Sequence, residues 1–352
     1  MQDHNMKTIN IKASSGVYNV YIGVDYKSIV DPIKKLGKMG KAFVVSDSNV
    51  FPLYGGEVVG ALVDGGFETA SYTISAGEEH KRLSTIESLY EAFHQHGMTR
   101  SDVIIALGGG VVGDMTGFAA GTYLRGVAYI QIPTTLLAQI DSSVGGKTGV
   151  DTAYGKNLVG FFNQPAAVFI DPTVLKTLSP QIFADGMAEA IKYGLIKDAE
   201  LYKRILHGKF SEDVTELIYT CVSIKNAVVT ADERDQGERM LLNFGHTIGH
   251  AIEKCGNFKK YTHGQAVAIG MVYAASIGEN LGVTARGTMD DIIQILNKYA
   301  LPIHSDENKE QIYSALLSDK KKSGDNINFV LLKSIGDAII YPINVLELKK
   351  LL

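Results

Sequence analysis

The sequence predicts an α/β protein: a parallel-sheet domain first, then a mainly α-helical domain. Three observations predict it. Short apolar runs alternate with amphipathic stretches between residues 26 and 170, the pattern of strands joined by crossover helices. From Pro180 onward the periodicity becomes helical. The chain has 352 residues, and single cores rarely grow past roughly 250–300 residues. The expected domains are 1–179 and 180–352.

Residues 8–12 and 18–22 alternate polar and apolar side chains around Ser14-Ser15-Gly16 and read as a hairpin. Strands follow at 42–45, 70–74, 103–107, 128–132 and 168–170, the first of them connected by amphipathic stretches at 26–36, 53–63 and 83–96. Helical periodicity marks 181–196, 212–231, 239–254, 264–281, 288–299 and 309–321, before a late hairpin (327–332, 338–341) and a terminal helix. No internal repeat or low-complexity linker separates the halves, so the domains are expected to pack closely over a shared cleft.

Composition narrows the function classes. The chain is 45% hydrophobic and 20% charged with a net charge of −4, and its pI is near 6.1. That balance argues against nucleic acid as a partner; an acidic small substrate would need a local basic pocket. Cys221 and Cys255 are too few for a disulfide framework and read as reduced thiols. No apolar run reaches the ~18 residues of a membrane span, and the N-terminal segment lacks a signal core. A cytoplasmic protein without membrane contact is the expectation.

Gly108, Gly110 and Gly113 satisfy G-x-G-x-x-G between a strand and a helix. Glycine there permits a tight turn and lets backbone N–H groups approach a pyrophosphate. An acidic residue about 20 positions on should bind a ribose, but Tyr129 and Gln131 stand there; Asp47, closing an earlier strand, is the substitute. Asp141-Ser-Ser-Val-Gly-Gly-Lys147-Thr148 lacks the Walker spacing, which disfavours a P-loop NTPase. Lys147 and Lys156 nevertheless sit among glycines and, with Arg125, suggest an anion pocket.

The segment from Arg239 to Glu253 reads as one helix. Arg239, Asn243, His246 and His250 fall at offsets 0, 4, 7 and 11, a single stripe. Glu189 and Lys192 share a face of an alanine-rich helix, and His263 opens the next one. A Glu-His-His set suits catalytic Zn²⁺, leaving positions open for substrate oxygen. The other histidine of the i, i+4 pair could bind substrate or relay a proton. The alternative for any one of these histidines is a core or capping role. Dinucleotide, metal and anion pocket together suggest alcohol oxidation, without saying whether the hydride is kept.

On these motifs the sequence resembles the 3-dehydroquinate synthases over essentially the whole chain. The densest matches are Gly108–Asp114, 133–148, 155–157, 188–194, 239–253 and 319–321. The resemblance implies a Rossmann-like first domain, a mainly helical second, and usually a homodimer. It implies a small-molecule sugar phosphate substrate, 3-deoxy-D-arabino-heptulosonate 7-phosphate, converted to 3-dehydroquinate and phosphate with NAD⁺ and Zn²⁺ (Co²⁺ can substitute).

Carried over, the metal ligands are Glu189, His246 and His263, and His250 serves the proton relay. Arg239 meets the substrate carboxylate, with Lys192 and Lys225 nearby. Asn243 belongs to the catalytic set and marks the chain off from the cyclitol synthases. Lys147, Asn157, Arg125 and one of Lys320 or Lys321 surround substrate oxygens and phosphate, and Asp141 orders the adjoining loop. The NAD positions are Asp47, Ala76, Gly77, Glu78, Glu79, His80, Lys81, Gly110, Val111, Val112, Gly113, Asp114, Thr134, Thr135, Lys147, Lys156, Val174, Leu175, Lys176 and Thr177. One departure stands out: Gln265 occupies a position more often glutamate, removing charge near the metal. Rival readings are a sister cyclitol synthase, against which Arg239 and Asn243 argue, a polyol dehydrogenase that releases NADH, and a silent NAD-binding regulator.

Overall fold

The computed structural model describes residues 6–14, 16–38, 40–208, 210, 214–232, 237–320 and 326–352. The chain forms two compact units, Met1–Leu178 and Ser179–Leu352.

In the first unit a hairpin, β1 (Lys7–Ala13) and β2 (Gly16–Ile22), precedes α1 (Val30–Lys35). Then come β3 (Lys41–Asp47), α2 (Gly56–Asp64), β4 (Glu68–Ile74), α3 (Leu83–Gln95), β5 (Val103–Gly108), α4 (Gly110–Thr122) and β6 (Ala128–Pro133). A second hairpin, β7 (Lys147–Thr152) and β8 (Gly155–Phe162), leads to β9 (Ala167–Ile170). Seven strands form one sheet in the order β1-β2-β9-β6-β5-β3-β4, parallel except for the β1–β2 pair.

Alternation explains why these strands read as unbroken apolar runs. Val44, Ile105, Leu107 and Ile130 pack with Ile33, Val58 and Leu62 on one face. Phe43, Val45, Ile104 and Ala106 pack with Ile86, Leu89, Phe93 and Met115 on the other. Because β3 is followed by β4 at the sheet edge, whereas β5 pairs on the other side of β3, the strand order reverses between β3 and β5. The carboxyl ends of strands at such a reversal are where open α/β sheets bind ligands. Asp47 and Gly108 occupy those ends, just past the paired Ser46 and Leu107.

The second unit contains α5 (Pro180–Lys197), α6 (Ala199–Leu206), α7 (Val214–Ala231), α8 (His246–Cys255), α9 (His263–Asn280), α10 (Thr288–Lys298) and α11 (Lys309–Lys320). An antiparallel hairpin of β10 (Asn326–Ser334) and β11 (Asp337–Asn344) follows, then α12 (Val345–Leu351). Residues 186 to 196 of α5 are buried without interruption, so α5 is the core helix of this unit. Cys221 and Cys255 are not joined by a disulfide.

Three expectations about local structure need correction. The segment from Arg239 to Glu253 is two pieces: a 3₁₀ turn at Glu238–Asn243, then α8. Phe244 leaves the helical region (ψ 126°) and Gly245 is left-handed (φ +78°). The break is forced from outside, because α9 crosses so closely that a Cβ on Gly270 would collide with the Gly245 carbonyl. Arg239 and Asn243 therefore do not share a helix face with the histidines. Lys147 and Lys156, expected in loops, begin the strands β7 and β8. Helix α6 was not anticipated.

Candidate active site

The glycine turn in the first unit is built for close approach. Gly109 is the N-cap of α4. A Cβ on Gly108 would lie 2.6 Å from Val112, one on Gly110 2.9 Å from Ser142 Oγ, and one on Gly113 2.6 Å from Gln131 Oε1. The third glycine thus seats α4 against β6, and Gln131 fills space there rather than meeting a ribose. Thr134 Oγ1 and Ser142 Oγ are buried without a hydrogen-bond partner among the described residues. Unsatisfied hydroxyls beside a helix N-terminus fit a phosphate-bearing group.

The positions expected to hold NAD all fall in this unit. Asp47 Oδ1 accepts from the backbone of Asn49 (2.8 Å) and Val50 (2.9 Å), so part of its carboxylate already shapes the chain. Ala76 N donates to Ser48 Oγ (3.1 Å), and Gly77 takes φ +120° ahead of a short 3₁₀ turn, Glu78–His80. Lys81 is buried; its ammonium donates to Asp114 Oδ2 and Asn157 Oδ1, both at 2.7 Å. Burial disfavours that charge, but Asp114 and Glu78 outweigh it and raise the pKa. Burial likewise raises Glu78, which meets Lys156 at 3.8 Å.

Asn157, placed with the substrate from sequence, thus stands in the same cluster as Lys81 and Asp114; its φ of +53° suits asparagine. Val111 and Val112 are in the first turn of α4. Thr135 Oγ1 accepts from Ala138 N (3.2 Å), and Asp141 lies in the π-helical turn Ala138–Ser142. Val174, Leu175, Lys176 and Thr177 belong to the 3₁₀ turn Pro172–Thr177, where Thr177 Oγ1 and the Tyr54 hydroxyl are 2.6 Å apart. Glu79, His80 and Lys147 complete the set; Lys147 is exposed. Arg125 is exposed at the other end of α4, about 20 Å along the helix from the glycine turn. The structure does not bring it to that turn.

In the second unit, Glu189, His246 and His263 converge from α5, α8 and α9, with candidate ligand atoms all within 4.8 Å of one another. Glu189 is fully buried. Its Oε1 lies 3.4 Å from His246 Nε2 and 3.6 Å from His263 Nε2, and its Oε2 contacts the Lys192 ammonium. Close packing creates the convergence: Gly264 opens α9 where a Cβ would collide with Asp185 of α5, and a Cβ on Gly249 of α8 would lie 3.0 Å from Ala266 O.

The two imidazoles differ in charge. Burial and the Lys192 ammonium push His246 down to about 3, so it is neutral, and its Nδ1 faces the Phe244 carbonyl at 3.1 Å. A proton on Nδ1 leaves the Nε2 lone pair directed at the cluster. His263 is half-buried, but contacts with Glu189 and Glu253 overcome its partial desolvation and push it up to about 10. Without a metal its imidazolium neutralises those carboxylates; a divalent cation would replace the proton. One carboxylate and two imidazoles fit a three-ligand zinc site. His250 is exposed one turn along α8, its ring centroid 5.4 Å from that of His246.

Lys192, Lys225 and Arg239 are respectively 1%, 5% and 2% exposed, and the elements that carry them pack together. Among the described residues of this unit, these three cations and the carboxylates of Glu189 and Glu253 are the buried charged side chains. That suits an anionic ligand. Asn243 borders a narrow crevice with Thr247, Ile248 and Phe329, away from the face of α8 that carries the histidines. Lys320 closes α11, and Lys321 lies outside the described residues.

Gln265 is part of a helix cap. Its side-chain oxygen accepts from Thr262 N (3.1 Å) while Thr262 Oγ1 accepts from Gln265 N (3.4 Å), a reciprocal capping box at α9. Gln265→Ala should lower stability to urea by about 0.3–1.5 kcal/mol, the usual worth of such a cap, and Gln265→Glu should restore it. A glutamate variant less stable than the alanine variant would reject this role.

Glu253 had no role assigned from sequence. It is 3% exposed, with Oε1 3.7 Å from His263 Nδ1. Its spacing carried a signal: His246, His250 and Glu253 fall at offsets 0, 4 and 7 on one face of α8.

Comparison with known proteins gives this geometry its context. The 3-dehydroquinate synthase N-terminal model matches residues 71–185 and the corresponding C-terminal model matches 186–322. The chain is 46% identical to 3-dehydroquinate synthase of Clostridium acetobutylicum over 99% of both chains. The chain belongs to the 3-dehydroquinate synthase family. A Streptococcus pneumoniae 3-dehydroquinate synthase is 44% identical over 90% of this chain and 91% of its own. Among solved structures, a 2-deoxy-scyllo-inosose synthase complexed with carbaglucose-6-phosphate, NAD⁺ and Co²⁺ superposes with TM-score 0.89, at 29% identity over 98% of each chain. A 2-epi-5-epi-valiolone synthase from Streptomyces hygroscopicus with NAD⁺ and Zn²⁺ gives 0.85, at 26% identity over 95% of each. A Rossmann-like parallel-sheet unit followed by a helical unit is thus the architecture that this 3-dehydroquinate synthase family member shares with related cyclases.

Proposed function

We propose that the chain converts 3-deoxy-D-arabino-heptulosonate 7-phosphate to 3-dehydroquinate and phosphate. The observation that carries this reading is the Glu189–His246–His263 cluster in a unit that also buries Lys192, Lys225 and Arg239. A metal-dependent polyol dehydrogenase has no use for so much buried positive charge; a substrate bearing carboxylate and phosphate does. At the substrate, the C5 hydroxyl is oxidised, phosphate is eliminated with loss of the neighbouring acidified proton, and the ketone is reduced. Ring opening and intramolecular aldol closure follow. When bound, NAD⁺ supplies the reversible hydride acceptor and the divalent cation the Lewis acid.

The residues divide the remaining work. Glu189, His246 and His263 would hold Zn²⁺ or Co²⁺. His250, exposed beside them, would move the proton of the substrate hydroxyl. Arg239 would bind the carboxylate through its bidentate fork, with Lys192 and Lys225 adding charge. Lys147 and Lys320 or Lys321 would serve phosphate and neighbouring oxygens, and Asn157, bonded to Lys81, would order the lysine cluster beside them. The glycine turn at Gly110–Asp114, Thr134, Lys81 and Lys156 would hold NAD⁺, with Asp47 near the ribose.

A cytoplasmic homodimer is part of the same reading. Among the described residues no helix is long and apolar enough to cross a membrane. Tyr154, Leu158 and Phe162, respectively 92%, 61% and 47% exposed, give the second hairpin an apolar surface of the kind that marks subunit contacts.

Purified protein given the heptulosonate phosphate should release phosphate in step with dehydroquinate, with no net NADH. Stoichiometric NADH from a polyol would establish a dehydrogenase instead. Phosphate appearing only with glucose 6-phosphate would establish a cyclitol synthase.

A further inference from the structure

His263 has a carboxylate on each side. Its Nε2 faces Glu189 at 3.6 Å and its Nδ1 faces Glu253 at 3.7 Å. His246 repeats the arrangement with a weaker acceptor: Nε2 is 3.4 Å from Glu189 and Nδ1 is 3.1 Å from the Phe244 carbonyl. Both rings thus direct Nε2 at the cluster and Nδ1 at an acceptor. We propose that Glu253 is a positioning residue: it holds the His263 proton on Nδ1 and so keeps the Nε2 lone pair available to the cation. This rests on Glu189, His246 and His263 being the metal ligands.

The physical reason is twofold. A neutral imidazole has one N–H, and only the tautomer protonated at Nδ1 can donate to Glu253. The opposite tautomer would set a lone pair against a carboxylate that is almost wholly buried, where the repulsion is poorly screened. A carboxylate accepting from the remote nitrogen of a metal-bound histidine also makes that histidine a better ligand. Its place on α8, the helix that supplies His246, ties the orientation of the α9 ligand to that of the α8 ligand.

A competing use of the same atoms exists, because His250, Glu253 and His263 also cluster closely enough to hold an ion. That arrangement would take His263 through Nδ1. With a cation already on Nε2, the ring would have to give up its last proton, so positioning is favoured over a second site.

The test is zinc affinity of the full chain with NAD⁺ present, measured by chelator competition for wild type, Glu253→Leu and Glu253→Gln. Leucine keeps the volume and removes the acceptor; it should weaken zinc binding by about 10–100-fold while leaving the NAD⁺ affinity unchanged. Glutamine still offers an oxygen to Nδ1–H and should lose only a few-fold. Wild type that binds no zinc would remove the metal-site reading itself. Wild type that binds one equivalent, with Glu253→Leu equal to it, would overturn the positioning role alone. A second, weaker equivalent lost in Glu253→Leu would overturn it in favour of the second site. Should Glu253→Leu fail to fold, Glu253→Gln decides: a few-fold loss of zinc affinity with the NAD⁺ affinity unchanged supports the proposal, and zinc affinity equal to that of the wild type overturns it.

Discussion

Glu189→Leu should abolish stoichiometric zinc binding and destabilise the protein by about 3–5 kcal/mol, because it removes one partner of a buried ion pair and leaves the other charged. Glu189 and Lys192 are 0% and 1% exposed and contact each other one turn apart on α5. The two effects are separable. Adding Lys192→Met to Glu189→Leu replaces the pair by apolar side chains of similar size, and should recover most of the stability but none of the zinc. Urea unfolding and metal content check both. A single variant that loses less than ~1 kcal/mol would show that Lys192 is not held by Glu189.

Arg239→Ala should raise KM for the heptulosonate phosphate by about 30-fold to several thousand-fold, the range that corresponds to roughly 2–5 kcal/mol for a desolvated charge contact. The NAD⁺ affinity should change little, because the glycine turn and its neighbours belong to the first unit. Steady-state kinetics with NAD⁺ titration reads both quantities. Equal losses would place this arginine outside the substrate pocket. A selective loss would also separate this chain from cyclitol synthases, whose substrates lack the carboxylate that Arg239 is proposed to bind.

Much of the first unit was legible because its cause is local. Strands β3, β5 and β6 are buried on both faces, so their apolar runs show in the sequence directly. The β7–β8 hairpin was hidden by its composition. Its close crossing needs Gly149 opposite Gly160, where a Cβ on Gly149 would lie 2.7 Å from Val159 O. Those glycines, with Lys147 and Lys156, imitate a loop. Helix α6 escaped notice because it is short, although Leu201, Tyr202 and Ile205 supply its buried side.

The segment from Arg239 to Glu253 shows where local periodicity stops being enough. Its spacing satisfies a single helix, and nothing within it contradicts that except Gly245. The break is decided by Gly270, a residue of α9 that needs the room a side chain would fill. The sequence by itself determined the donor types, the glycine turn, the alternation of strand and helix, and the pairing of Glu189 with Lys192. Only the tertiary structure decided that Glu189 meets His246 and His263, that Arg239 stands apart from their helix, that Gln265 is a cap, and that Glu253 backs His263. Spacing along one element follows from the geometry of a single turn, whereas contacts between α5, α8 and α9 depend on how closely three helices can approach, and that is set by glycines far apart in the chain.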